Sequence, residues 1–431
     1  MNLLMIQSWN EAEKSYRGTF SQLFSYTSLT LSTLYSLLPE DVFDRIDVVD
    51  ENSQRVDYDR VRYDLVLISF ETSSALTAYK HCAAFRERGA YVVCGGYHAT
   101  ALPEEVGGHC DTVIAGPAEI SLPQFIEDFR RGVPAKIYRN PDVPAARYTV
   151  PARDKVTMKK KLKIPGMVAN RGCNNGCSYC SMGVMWKSNP RPVEDVVAEI
   201  RSLGAKIVIF YDPNFFQNRV YAIELMKAMI PLRIRWASNA TADLGYDPEL
   251  LALARDSGCR GLLLGLESIN SSSLEDAAKR FHKAEKYKEI IANIHAYGIA
   301  VNGCFVLGFE HDTEEELLSL PQQIEYLGLD LCRFAILTPY PGTRVYDEYK
   351  ASQRMTSADW SMYNQWHAVF KPRHMSPERL EEIHRRVWHD AYTWRSIFRR
   401  IRKSPWRFKP YVFILLGANI GFKFIEMDKR D

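Results

Sequence analysis

Short apolar runs alternate with helix-spaced stretches along most of this chain, and that alternation limits the fold more than any other feature. Near the start, "LLMI" (3–6), "DRIDVVD" (44–50), "YDLVLISF" (63–70), "AYVVCGG" (90–96) and "DTVIAG" (111–116) read as buried strands. Between two of them, "SALTAYKHCAAFRERG" carries apolar residues at helical spacing and ends on glycine. Strand alternating with helix predicts a parallel, doubly wound sheet over 1–140. Ligands of such sheets sit beyond the carboxyl ends of the strands. Ser69, Gly95, Gly96 and Gly116 fall there.

A proline- and lysine-rich stretch over 141–164 lacks periodicity and predicts an inter-domain linker or strap, with Lys159, Lys160, Lys161 and Lys163 on a solvated face. A second alternating series then begins. Its strand candidates are "GMVANR" (166–171), "KIVIFYD" (206–212), "RIRWASN" (233–239), "RGLLLGLES" (260–268), "IAVNGCFVLGF" (299–309) and "CRFAIL" (332–337). Six strand–helix units in a row predict a partial (β/α)6 barrel over 165–350, with its chemistry at the carboxyl rim of the strands. The whole is an α/β chain: a Rossmann-like domain, a half-barrel and a helical region over 351–431.

A net charge of +3 gives no reason to expect nucleic acid. The first residues, "MNLLMIQSWNEAEKSYR", lack a basic start and a long apolar run, so no signal peptide is expected. No apolar stretch is long enough to span a bilayer. Cys82, Cys94, Cys110, Cys259, Cys304 and Cys332 are scattered singly and read as reduced core thiols. These features together suit the cytoplasm.

The remaining three cysteines carry the chemistry. "RGCNNGCSYC" (171–180) sets Cys173, Cys177 and Cys180 in one loop at C-x3-C-x2-C spacing, directly after the first strand of the second series. Structural zinc takes four ligands, so a zinc reading must recruit a distant Cys or His. An iron–sulfur cluster that only transfers electrons also prefers four protein thiolates. Three thiolates leave one iron open to an outside ligand.

With Tyr179 just before the last cysteine, this loop looks like the signature of radical S-adenosylmethionine enzymes. "RPVEDVVAEI" (191–200), "FYDPNF" (210–215), "GLLLGLES" (261–268), "GCFVLGFEHDTEEE" (303–316) and "LTPYPGT" (337–343) resemble that superfamily's barrel landmarks. The resemblance implies a [4Fe-4S] cluster on Cys173, Cys177 and Cys180. Its open iron would bind S-adenosylmethionine, which one electron cleaves to a 5′-deoxyadenosyl radical. It also implies that Tyr179, Glu267 and Ser268 meet S-adenosylmethionine, Glu267 through the ribose. An external one-electron donor such as flavodoxin or ferredoxin is implied as a partner.

The first domain, through "GGYHAT" (95–100) and "DTVIAGPAE" (111–119), resembles the cobalamin-binding domain fused to one branch of this superfamily. That implies cobalamin against Ser69, Gly95, Gly96, Tyr97, His98 and Gly116. No D-x-H-x-x-G motif occurs, so no protein histidine on cobalt is expected. The function implied is methylation of an unactivated carbon in a hydrophobic substrate, such as a lipid, terpenoid or tetrapyrrole. Radical cyclisation or carbon–carbon coupling without methyl transfer, and an iron–sulfur redox protein, are the other readings.

In the tail, Arg395, Arg399, Arg400, Arg402, Lys403, Arg407 and Lys409 interleave with Ile397, Phe398, Ile401, Trp406 and Phe408, before "YVFILLGANIGF" (411–422). One reading is a helix packed on the barrel with a solvated basic face. The other is peripheral membrane contact through 395–424.

Overall fold

The computed structural model of the protein describes residues 1–10, 28–140, 148–156, 164–279 and 283–424. The lysine cluster from Lys159 to Lys163 lies outside the described residues.

The first domain is a six-stranded sheet of β1 (Asn2–Gln7), β2 (Arg45–Asp50), β3 (Leu65–Ser69), β4 (Tyr91–Gly95), β5 (Thr112–Ala115) and β6 (Ile137–Arg139). Its order is β2-β1-β3-β4-β5-β6 and every pair is parallel. Both faces are covered, because strand residues alternate between two cores. Leu4, Ile6, Val66 and Ile68 meet Ala78, Cys82 and Phe85 of α2 (Ala75–Glu87). Leu3, Met5, Leu65 and Leu67 meet Leu31 of α1 (Leu29–Ser36), and Leu122 and Phe125 on the later helix Ala118–Arg130. A short α3 (Tyr97–Ala101) follows β4, and Ala118–Arg130 is α4. Strand order reverses between β1 and β3, which opens a crevice at the carboxyl ends. The edge strand β6 was not expected. Three residues ending in Arg139 are too few to show a strand period.

The strap is tied down where it is described. Ala152 N–H donates to Ser32 O and Ser36 Oγ, and Val156 joins the first domain's core.

The second domain contains β7 (Gly166–Met167), β8 (Asn170–Arg171), β9 (Asn189–Pro190), β10 (Ile207–Phe210), β11 (Arg235–Ala240), β12 (Cys259–Glu267), β13 (Ala300–Leu307) and β14 (Leu331–Ile336). Six of them form a parallel sheet in the order β14-β13-β12-β11-β10-β7. Helices α5 (Val193–Leu203), α6 (Arg219–Met229), α7 (Pro248–Ser257), α8 (Tyr287–Ala296), α9 (Glu314–Leu327) and α10 (Arg344–Ala351) alternate with the strands. Leu262, Leu264 and Leu266 of β12 point toward this helical layer and are buried in the main core. The expected first strand over 166–171 is split in two. Asp212 accepts from Ala169 N–H and Asn170 N–H, both at 2.8 Å, where a neighbouring strand would have bonded. The chain then leaves the sheet, and β8 pairs antiparallel with β9.

Three helices end the described chain: α11 (Pro377–Ala391), α12 (Trp394–Lys403) and α13 (Val412–Lys423). Leu380, Ile383 and Val387 bury α11 in the main core. The turn between α12 and α13 crosses the amino end of the barrel. There Trp406 Nε1 donates to Gly298 O, and Arg235 Nε donates to Tyr411 OH at 3.0 Å.

Charge joins the two domains. Arg171, at the end of β8, forms a buried ion pair with Glu119 of α4. Its guanidinium also lies 4.2 Å from the ring of Tyr148 in the strap. Arg191 covers the same ring at 4.5 Å and pairs with Glu199 at 2.5 Å, while Arg153 of the strap pairs with Glu199 at 2.7 Å. Removing one partner of a buried pair leaves an uncompensated charge and typically costs about 3–5 kcal/mol. Glu119→Gln is therefore expected to lower the melting temperature and to speed cleavage between the domains in limited proteolysis. An unchanged proteolysis rate would show that the pair does not hold the domains together.

His384 of α11 is fully buried beside Phe334 O, and burial lowers its pKa to about 4. A depressed histidine pKa leaves the unfolded chain binding more protons between pH 6.5 and 4, so this stability is present above 6.5 and is lost as pH falls. The loss is about 3 kcal/mol across that window. Thermal unfolding of His384→Gln should show a flatter acid limb than the parent.

Candidate functional site

The three cysteines stand at the carboxyl rim of the barrel, on the loop that Asp212 turns out of the sheet. Asp212 is completely buried, and burial pushes its carboxyl up to about 7 against the two backbone N–H groups that favour the charge. Gln217 clamps the loop from outside: its Oε1 accepts from Asn174 N–H and its Nε2 donates to Gly172 O. On the other side, Ser178 N–H donates to Ala277 O, Ser178 Oγ donates to Asp276 O, and Val345 N–H donates to Ser178 O. Every side of the loop is thus tied to a barrel element.

Cys173, Cys177 and Cys180 are half-buried free thiols. Burial pushes Cys177 up to about 11, and Lys279 pulls it the other way. Burial also raises Cys180, opposed by the Met182 N–H. A metal's positive charge would favour the thiolate form that burial disfavours at Cys177 and Cys180. Among the described residues, no three Cys, His, Asp or Glu side chains are disposed to hold a single metal ion. The donor set is three soft thiolates on one clamped loop, and it fits an iron–sulfur cluster.

Within the loop, Tyr179 stands edge-on to Phe309 with centroids 5.6 Å apart. Burial, then the Glu267 carboxylate, raises the Tyr179 phenol well above its usual value. Glu267 closes β12 at a register shift against β13, with φ at +66°. That left-handed backbone is strained for a glutamate, and strained residues of this kind cluster at functional positions. Its carboxylate pairs with buried Lys279 at 2.5 Å. Burial works against the Lys279 charge, but Glu267 together with Cys177 and Cys180 outweighs it and raises the pKa. Ser268 is also buried, and its hydroxyl accepts from Asn270 N–H to hold the following turn. Lys279 had no signal in the sequence, where "AAKRF" (277–281) reads as a solvated charge.

A cavity of about 400 Å³ lies between the two domains. Ser69, Gly95, Gly96, Tyr97 and Gly116 line one side, at the carboxyl ends of β3, β4 and β5. Val168, Met182, Met185, Trp186 and Tyr211 line the other, on and beside the cluster loop. Among the described residues, the lining atoms Gln7 Oε1, Trp186 Nε1, Arg153 Nε and Arg191 Nε are buried with no hydrogen-bond partner. Such atoms are costly unless something else pairs with them. The wall around them is mainly apolar, the character of a site for a large ring bearing a few polar groups. The residues present fit cobalamin.

His98 is the exception to the expected set. It is fully buried outside this cavity, with its ring against Trp360 and its nitrogens within reach of Thr72 Oγ1 and Tyr79 OH. Burial lowers its pKa, against the nearby Glu105. It serves the core, and it does not reach the cavity. Tyr97 does line the cavity, and its hydroxyl donates to Pro341 O of the barrel at 2.7 Å.

The glycine pair divides into two kinds. Gly96 has φ of +101°, and a Cβ there would stand 2.4 Å from Phe70 O. A Cβ on Gly95 would meet nothing nearer than Ile114 O at 3.5 Å, an ordinary contact. Gly96→Ala should therefore cost about 1–3 kcal/mol or more in chemical unfolding, while Gly95→Ala stays close to the parent. Equal losses would refute the division.

Residues 167–322 match the family model described as Radical SAM superfamily. Bacteriochlorophyllide d C-12(1)-methyltransferase of Chlorobaculum tepidum is 28% identical over 397 residues, 89% of this chain and 87% of that protein. Bacteriochlorophyllide d C-8(2)-methyltransferase of the same organism is 29% identical over 417 residues, covering 92% and 91%. In fold, the chain resembles the radical S-adenosylmethionine methyltransferase TsrM of Kitasatospora setae, solved with cobalamin and a [4Fe-4S] cluster. The TM-score is 0.63 at 16% identity, covering 82% of this chain and 78% of that one. With the clamped three-thiolate loop already on its rim, the barrel over 167–322 is a radical S-adenosylmethionine domain.

Proposed function

We propose that this chain is a cobalamin-dependent radical S-adenosylmethionine methyltransferase acting on an unactivated carbon of a hydrophobic, tetrapyrrole-like substrate. One observation carries the reading: the apolar cavity lies between the carboxyl ends of the doubly wound sheet and the cluster loop, with walls from both domains. When bound, the cluster supplies the electron that splits S-adenosylmethionine to a 5′-deoxyadenosyl radical, and cobalamin supplies the methyl carrier.

The chain's own residues bind, orient and exclude water. Cys173, Cys177 and Cys180 would hold the cluster. Glu267, fixed by Lys279 and by its own backbone, would accept from the S-adenosylmethionine ribose, with Tyr179 and Ser268 beside it. Ser69, Gly95, Gly96, Tyr97 and Gly116 would face the corrin. None of the described lining residues is a histidine, so this wall would offer cobalt no imidazole. Met182, Met185 and Ile114 keep water from the space between. Methyl transfer is preferred over cyclisation because the two Chlorobaculum tepidum relatives, which match about nine-tenths of the chain, are named methyltransferases. The electron would come from an external one-electron donor such as flavodoxin or ferredoxin.

Three measurements test this. Alanine at any of Cys173, Cys177 or Cys180 should abolish the visible iron–sulfur absorbance and 5′-deoxyadenosine release. Glu267→Gln should weaken S-adenosylmethionine binding by about 1–3 kcal/mol, the cost of spoiling a charge-assisted hydrogen bond. Electron paramagnetic resonance of the Co(II) protein should show no nitrogen superhyperfine splitting. A protein that takes up no cobalamin, or a triple cysteine variant with the parent's iron content, would defeat the proposal.

A further inference from the structure

From 391 to 424 the chain holds eight Arg and Lys and no Asp or Glu. Four of the eight are tied into the fold, Lys403 and Lys423 through the backbone carbonyls of Glu325 and Tyr392, which corrects the view of them as one basic surface. Arg400 is buried, with donors to Ala391 O, Ser396 Oγ and Asn419 Oδ1. Arg399 pairs with Glu325 of α9 at 2.8 Å. Arg395, Arg402, Arg407 and Lys409 are exposed and have no acidic partner among the described residues.

Large apolar side chains lie exposed among these charges. Phe408 is 89% exposed, Phe413 75%, Phe398 58% and Ile414 57%. In α13, Leu415 and Asn419 are buried, and Phe422 packs against Trp388 and Tyr392. These positions make one inward stripe. Phe413 and Phe424 are eleven residues apart, which brings them to one face three turns along the helix. Both are exposed. At that far end Lys423 Nζ lies 5.4 Å from the Trp394 ring, and Trp394 neighbours Phe398 at 6.4 Å. The aromatic strip thus runs along α13 and continues onto α12.

We propose that α12, α13 and the turn between them rest on the surface of an anionic lipid bilayer. Exposed aromatic rings set among Arg395, Arg402, Arg407 and Lys409, with Glu325 already taken by Arg399, match the headgroup boundary of such a surface. A second copy of this chain suits the patch poorly. A symmetric contact would set this acid-free strip against itself and bring like charges together. No helix among the described residues is long and apolar enough to cross a membrane, so the contact lies flat. Because the turn crosses the amino end of the barrel, opposite the rim with the cysteines, the contact anchors the chain and does not form the substrate's doorway.

Flotation of the full chain, without cluster or substrate, tests the contact alone. Its failure therefore leaves the proposed chemistry untouched. The probes are vesicles of phosphatidylcholine, and of phosphatidylcholine with phosphatidylglycerol. The protein should float with the second and not the first, and release at about 1 M salt, where the Debye length is ~3 Å. Phe408→Ser with Phe413→Ser, and separately Arg402→Gln with Arg407→Gln, should each weaken binding about tenfold or more while the melting temperature holds. Flotation that ignores lipid charge, or is unchanged in both double variants, overturns the proposal. So does a concentration-dependent dimer that the phenylalanine variant dissolves, because the strip would then be an interface between copies.

Discussion

The ion pair between Arg171 and Glu119 is the contact on which the rest of the arrangement depends. Arg171 stands two residues before the first cysteine of the loop, and Glu119 opens a helix of the first domain. One side chain thus fixes where the cluster loop begins and where the doubly wound sheet sits above it. Tyr148 adds the strap to the same point, held between two guanidinium groups. Such a network is poor evidence for net stability, since burying charges costs nearly what their attraction returns. It is better understood as geometry. The partners must meet in one register or remain unpaired in a dry place.

The rim follows the same logic on a smaller scale. Asp212 carries no chemistry of its own, yet its two backbone bonds decide where the first barrel strand stops and the loop starts. Lys279 likewise gives the Glu267 carboxylate one orientation in a place where water cannot. A strained backbone at Glu267 and a buried cation beside it are both costs, tolerated where the side chain must point one way.

Most of the architecture could be read from the sequence, because parallel strands buried on both faces give near-continuous runs of Val, Ile and Leu. Such runs marked β1 to β5 and β10 to β14 clearly. Cysteine spacing marked the loop for a similar reason, since three thiols within eight residues form a local pattern. What stayed hidden depends on contacts distant in sequence. The split after Met167 needs Asp212, more than forty residues later. Lys279 and Arg400 look like surface charges until Glu267 and Asn419 are placed beside them. His98 sits next to residues that line the cavity, but the helical turn after Gly96 carries it to the opposite side, into the core.

The two adjacent glycines at the end of β4 differ in what they say about other chains of this shape. Gly96 is demanded by the backbone of Phe70, just past the neighbouring strand, so a domain that bound nothing would need it equally. Its presence is a mark of the turn. Gly95 is free to accept a side chain, and whatever stands there shapes the cavity floor. A chain that keeps the second glycine but fills the first would have the same scaffold with the floor of its cavity raised.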